Sequence, residues 1–211
     1  MITTTLVAIL GVLLLLVLMQ LFKKQPAPLG APTGPREDLA NLKASDARLG
    51  DALSISGAGD DMSDLDFTAD RCTWFEAGSH RWFEVSGPYR ERRVAMRVAG
   101  DEDVEVSVHT DPRKLTLEDL GLSEEDLAAM DERQNTSDNF EFDNKLWLYR
   151  LSREVQATRT GQSRPEGFYY WEFREQDGPG MLAIRKAESE PFAVSYYAAV
   201  PAGDVTVYRG R

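Results

Sequence analysis

His80 in "GSHRW" and His109 in "SVHTDP" are the only imidazoles in a chain of 211 residues, and Cys72 is its only thiol. Set beside Glu76, Glu84 or Asp111, either histidine could serve as a general acid or base, because imidazole titrates near neutrality and a carboxylate orients it. A single cysteine leaves no intramolecular disulfide or cysteine-built zinc site, and two histidines give a metal few ligands. The chain has no G-x-S-x-G, no H-E-x-x-H and no Gly-rich phosphate loop. "GDDMSDLD" (59–66) lacks the spacing and final Glu of a calcium loop. The expectation is therefore not an enzyme, with no catalytic residue, cofactor or metal. The alternative is a small-ligand-binding or weakly enzymatic domain using His80 or His109 with nearby carboxylates.

Glu172 poses a sharper question, because it sits among aromatics in "GFYYWEFRE" (167–175). A gapless shift of 88 lays residues 67–108 over 155–196 with nine of 42 positions identical, among them Glu84 on Glu172, Arg97 on Arg185 and Arg71 on Arg159. An aromatic-aromatic-Glu-apolar run thus occurs twice, as it would in a duplicated unit of about ninety residues. A lone catalytic carboxylate needs no twin in the same strand, whereas a structural device does. Strand alternation puts Trp82 with Glu84 on one face and Phe83 with Val85 on the other; Tyr170 with Glu172 likewise opposes Trp171 with Phe173. Each glutamate is then placed to meet an arginine across the sheet, with Arg97 and Arg185 as the hairpin-partner candidates. Trp82, Glu84, Arg97, Trp171, Glu172 and Arg185 are accordingly read as repeated structural positions.

The elements that must hold these residues are mostly strands. "ALSIS", "FTADRCTWFEA", "HRWFEV", "RRVAMRV" and "VEVSVHT" alternate with period two between Gly, Pro and Asp breaks, and "EVQATR", "FYYWEF", "MLAIRK", "FAVSYY" and "DVTVYR" continue the pattern. In "NFEFDNKLWLYRL", Asp143-Asn144 marks a hairpin turn. Between the halves, Ser123 with Asp126 reads as an N-cap pair, with Leu122 and Leu127 as a hydrophobic staple. Thr116 with Asp119 repeats the arrangement for a shorter helix ended by Gly121. Residues 37–48 could make one more short helix. The predicted fold is mainly β (β-rich α+β): two pseudo-repeated antiparallel sheet units joined by a short helical segment and preceded by one transmembrane helix. In residue terms this is an anchor over 1–24, a Pro/Gly-rich linker over 25–37, a first β unit over 38–113, short helices over 114–133 and a second β unit over 134–211.

The anchor rests on "MITTTLVAILGVLLLLVLMQLFKKQ". Ile2 to Phe22 carries no charge, and at ~1.5 Å per residue it spans about 31 Å, the thickness of a bilayer's hydrocarbon. Leu6, Leu13, Leu16 and Phe22 belong to this run, and Lys23 and Lys24 follow it. By the positive-inside tendency the soluble domain faces the cytoplasm of a bacterial inner membrane. All 35 acidic residues, against 22 basic ones, lie in 36–211, within a chain of net charge −11. A domain so acidic is repelled by phosphate backbones, which argues against nucleic acid. The partners expected are the membrane and an unidentified protein. The aspartates of 50–66 (Asp60, Asp61, Asp64 and Asp66 among them) offer an acidic loop for a basic one.

"RLGDALSI" (48–55), "HRWFEV", "VEVSV", "KLTLEDLG" and "FYYWEFRE…MLAIRK", in that order, resemble the bacterial family filed as domain of unknown function 4178. The resemblance covers about residues 48–210 and includes an R-x-G-D opening at Arg48, Gly50 and Asp51. It implies a β-rich bacterial domain loosely associated with membrane-stress proteins of the phage-shock kind, and it implies no catalytic residues. The longer acidic insert "GAGDDMSDLD" and the anchor depart from the family pattern. Together these readings expect a single-pass, membrane-anchored interaction module in membrane stress or envelope maintenance.

Overall fold

The computed structural model describes residues 41–100 and 103–210. The expected anchor, the linker and the first residues of the 37–48 helix lie outside them. Among the described residues no helix is long and apolar enough to cross a membrane.

Among the described residues twelve strands follow in chain order: β1 (Ala52–Ile55), β2 (Leu65–Thr68), β3 (Arg71–Ala77), β4 (His80–Tyr89), β5 (Arg92–Ala99), β6 (Glu105–His109), β7 (Asn139–Phe142), β8 (Lys145–Arg159), β9 (Glu166–Glu175), β10 (Gly180–Ala187), β11 (Ala193–Val200) and β12 (Val205–Tyr208). One helix, α1 (Glu124–Arg133), separates β6 from β7. The mainly-β expectation holds. The two halves are not separate sheet units, however. β3 to β6 and β8 to β11 run as two antiparallel meanders, β6 pairs with β11, and β3 pairs with β8. The result is one closed eight-stranded barrel, which removes the open edges that two separate sheets would leave. β7 adds to β8 outside the ring.

Each meander is covered on its outer face by a different element. β1, β2 and β12 form a three-stranded sheet whose Leu53, Ile55, Leu65, Phe67, Val205 and Val207 share one core with Phe83, Val85, Met96 and Val108 of the first meander. Gly87 permits this layering, since a Cβ there would stand 2.0 Å from the Thr68 carbonyl oxygen. The second meander is covered by Leu120, Leu122, Leu127 and Met130, which pack on Tyr149, Trp171, Phe173 and Leu182. Between the walls lies the barrel interior, with Phe75, Trp82, Val155, Tyr170, Met181 and Tyr197. The predicted alternation is thus met: Trp82 and Glu84 face inward, Phe83, Val85, Trp171 and Phe173 outward.

The α1 N-terminus forms as expected, with Asp126 N donating to Ser123 Oγ at 3.1 Å and Ser123 N to Asp126 Oδ2 at 2.9 Å. The shorter helix does not. Thr116 and Asp119 exchange the same bonds, but Leu122 N returns to Leu117 O and Gly121 turns left-handed, leaving a turn. Residues 44–46 likewise make only one 3-10 turn. The Asp143-Asn144 turn closes its hairpin with φ of 52° and 57°.

Candidate functional site

The duplicated glutamates and arginines all lie inside the barrel, but they pair crosswise. Glu84 stands directly opposite Arg97 in the β4–β5 register. On β9–β10 the register is slid by two residues, so Glu172 faces Ala183 and Arg185 faces Tyr170. Arg97 Nη2 then reaches across to Glu172 Oε2 at 3.2 Å, and Arg185 Nη2 to Glu84 Oε1 at 2.6 Å. The hairpin pairing expected from sequence is corrected in this respect: each half neutralises the other's charge. Adjacent strands set the register, yet the long side chains choose their partners across the lumen, where the walls approach.

Each pair carries a tyrosine. Tyr170 OH donates to Glu172 Oε2 at 3.0 Å; Tyr197 OH accepts from Arg185 Nη2 at 3.3 Å and donates to Glu84 Oε1 at 3.1 Å. Arg174 Nε adds a bond to Glu172 Oε1 at 2.9 Å, and its Nη2 reaches Glu105 at 3.1 Å. Arg97 lies over Trp82, 5.1 Å from the ring centre, and Arg185 over Phe75 at 4.9 Å. Burial pushes the Glu172 carboxyl up, but the charges of Arg97 and Arg174, with the hydrogen bonds from Arg174 and Tyr170, outweigh it and hold it below the usual carboxylate range. Burial, together with the adjacent glutamate, raises both tyrosines above their ordinary value.

The barrel has a hollow at each end. The first mouth, about 350 Å³, is lined by Trp82, Arg97, Arg153, Tyr170, Glu172 and Arg174, with His80 and Arg81 at the β3–β4 turn. The second, about 320 Å³, is lined by Arg71, Phe75, Glu84, Arg159, Phe168 and Arg185, with Glu166 and Glu190. The two ion pairs therefore occupy opposite ends of one lumen.

The histidines do not form acid–base pairs. His80 is exposed, paired through its backbone with Ala77, and its imidazole makes no hydrogen bond among the described residues. Its neighbour Glu76 pairs with Arg81 at 3.4 Å. His109 Nδ1 lies 2.7 Å from the Tyr196 carbonyl, so that nitrogen carries the proton. Asp111 is occupied by Arg113, whose Nη2 stands 2.7 Å away. The acidic loop is also partly spent: Asp60 binds Arg90 at 2.6 Å and Arg92 as well, and Asp64 accepts from Gly57 N at 3.2 Å. Cys72 is buried, and burial pushes its thiol up. Among the described residues no group of three His, Cys, Asp or Glu side chains is arranged to hold a metal.

Several residues of consequence escape sequence reasoning. Arg153 enters the lumen because a bulge between Tyr149 and Leu151 reverses the alternation of β8: Trp147 and Tyr149 point out, and after the bulge Leu151, Arg153 and Val155 point in. The same bulge turns Ser152 outward to a cluster in which Tyr149 OH lies 2.7 Å from Ser152 Oγ, while Ser152 and Tyr169 both donate to Asp131 of α1. Burial and that carboxylate push the Tyr169 hydroxyl up to about 12. The gapless shift of 88 also fails here. It matches β4–β6 to β9–β11, but Arg159 lies beside Thr73 at the β3–β8 seam rather than in the place of Arg71. Asp51, quoted for its motif, is a buried clamp that accepts from Arg48 N at 2.9 Å, Gly210 N at 3.1 Å and Arg209 Nη1 at 2.5 Å. No protein-family model, curated protein or solved structure matches the chain, so the site stands on its own geometry.

Proposed function

We propose that the chain is a single-pass membrane-tethered binding module, its acidic barrel on the cytoplasmic face of a bacterial inner membrane, serving membrane stress or envelope maintenance through a protein partner. The apolar run of residues 2–22, the lysines after it and the resemblance to domain of unknown function 4178 support the tether and the setting. The protein-binding part is carried by Trp74. This residue is 51% exposed, its ring lies tilted against Phe83 with centres 4.8 Å apart, and it borders an open hollow of about 440 Å³ with Val98 and Val104. An exposed tryptophan beside an apolar hollow is the kind of anchor on which interfaces concentrate their energy. The net acidity of the domain selects a partner whose apolar anchor sits in a basic surface.

The test replaces Trp74 with a photo-crosslinking amino acid in cells and isolates adducts from detergent-solubilised membranes. One reproducible protein adduct, weakened by added salt, is expected. A chain that fractionates away from membranes, or that yields no reproducible adduct, overturns the reading. A second reading, a small-ligand domain, is favoured by one observation: His80 lines the same hollow as the buried Glu172.

A further inference from the structure

We infer that the first mouth of the barrel is a binding site for a small oxyanion, a carboxylate or phosphate group on a compact molecule. It rests on the reading of the domain as a binding module and names a ligand for it. Arg153 is half-buried in that mouth. Its guanidinium makes one bond, Nη1 to the Ala77 carbonyl at 3.3 Å, and no carboxylate pairs with it among the described residues. The Nε atoms of Arg153 and Arg97 and the Nε1 of Trp82 are buried donors without acceptors, and all three residues line this one hollow.

The shortage is one-sided. Both oxygens of Glu172 are occupied, Oε1 by Arg174 and Oε2 by Arg97 and Tyr170. Asp103 and Glu105 also line this hollow, but both are exposed, Glu105 is taken by Arg174, and neither reaches the buried donors. What the inner mouth lacks is an acceptor carrying negative charge, and supplying one removes the cost of an uncompensated cation and unpaired donors together. Its volume of about 350 Å³ suits a compact ligand, and Trp82, Leu151 and Ala77 provide an apolar wall. The second mouth is nearer balance, with Arg185 Nε as its one buried side-chain donor without an acceptor among the described residues. Its buried cation, Arg185, is matched by Glu84, and its remaining arginines, Arg71 and Arg159, are exposed beside Glu166 and Glu190.

The full chain, purified in a non-ionic detergent with ¹⁵N-labelled indoles, is titrated with inorganic phosphate and with succinate at constant ionic strength. A saturable shift of the Trp82 indole N–H by either probe is expected, with Trp147 and Trp74 unmoved. Arg153→Gln weakens binding by about tenfold or more, as loss of a charge-assisted hydrogen bond requires, while Arg159→Gln at the other mouth leaves it unchanged. Arg153→Lys, which keeps the charge without the fork, falls between and covers the case of a poorly folding glutamine variant. Shifts that never saturate with either probe overturn the site, as does equal weakening by Arg159→Gln. If the Trp74 adduct forms while no oxyanion binds, the site falls and the binding module stands. If oxyanions bind but no adduct forms, the protein-partner reading falls instead.

Discussion

The two meanders of the barrel carry the same charged pair on their inner faces and unrelated covers on their outer faces. Inside, Glu84 and Glu172 each end in an arginine and a tyrosine. Outside, one meander is capped by a three-stranded sheet and the other by a helix and its leading turn. Seven of the nine identities under the 88-residue shift run from Glu84 onward, through β4–β6, and five of those (Glu84, Ala95, Arg97, Ala99 and Ser107) lie on the inner face. The two Glu–Arg pairs of the lumen each join one half to the other, so a change in either member on one side requires a matching change on the other. An outer face needs only an apolar cover of suitable shape, which a sheet or a helix supplies equally well.

The comparison breaks most readily at Glu172. Its partner Arg97 has a side chain 8% exposed, whereas Arg185, the partner of Glu84, is 26% exposed. Glu172→Gln, which strands a buried cation, is expected to cost about 4 kcal/mol in urea unfolding. Glu84→Gln should cost clearly less, about 2 kcal/mol, because water reaches its arginine. Equal losses would show that the two ends are energetically alike. A double-mutant cycle sharpens the point: coupling should appear for Arg97 with Glu172 and be near zero for Arg97 with Glu84, although the latter are register neighbours.

The same pair has a pH signature. The folded-state pKa of Glu172 lies below its unfolded value near 4.5, so its contribution is present above that value and is lost as pH falls through the folded pKa. Unfolding midpoints followed from pH 7 to pH 3 should therefore fall less steeply in Glu172→Gln. Tyr170 and Tyr197 work in the opposite sense. Their raised pKa values make their contribution complete below about 10 and lost at higher pH, so tyrosinate absorbance should rise together with unfolding rather than before it.

Between the covers, Leu127→Ala removes a fully buried side chain of α1 and should cost about 3 kcal/mol, with the loss confined to the second meander in hydrogen exchange. Exchange that rises equally over β4–β6 would mean that the covers act as one unit. The smallest effect belongs to Ser123→Ala, about 1 kcal/mol from the lost N-cap, read as a lower thermal midpoint with no change at the lumen.

Period-two alternation in the sequence determined the strands, and side-chain chemistry determined the helix cap and the Asp143-Asn144 turn, because each depends on residues within a few positions of one another. The same alternation placed Trp82 and Glu84 on one face, and the repetition of Glu and Arg announced that both belong to one structural device. Ring closure, the crosswise pairing and the place of Arg153 were decided only in three dimensions. A two-residue slide of register, one bulge in β8 and the β3–β8 seam leave no local trace in the sequence, since parity is unchanged by the slide and is reversed by a single residue at the bulge. Local pattern tells which way a side chain points along its own strand. Which charge it meets across a lumen depends on how far away the opposite wall has been brought.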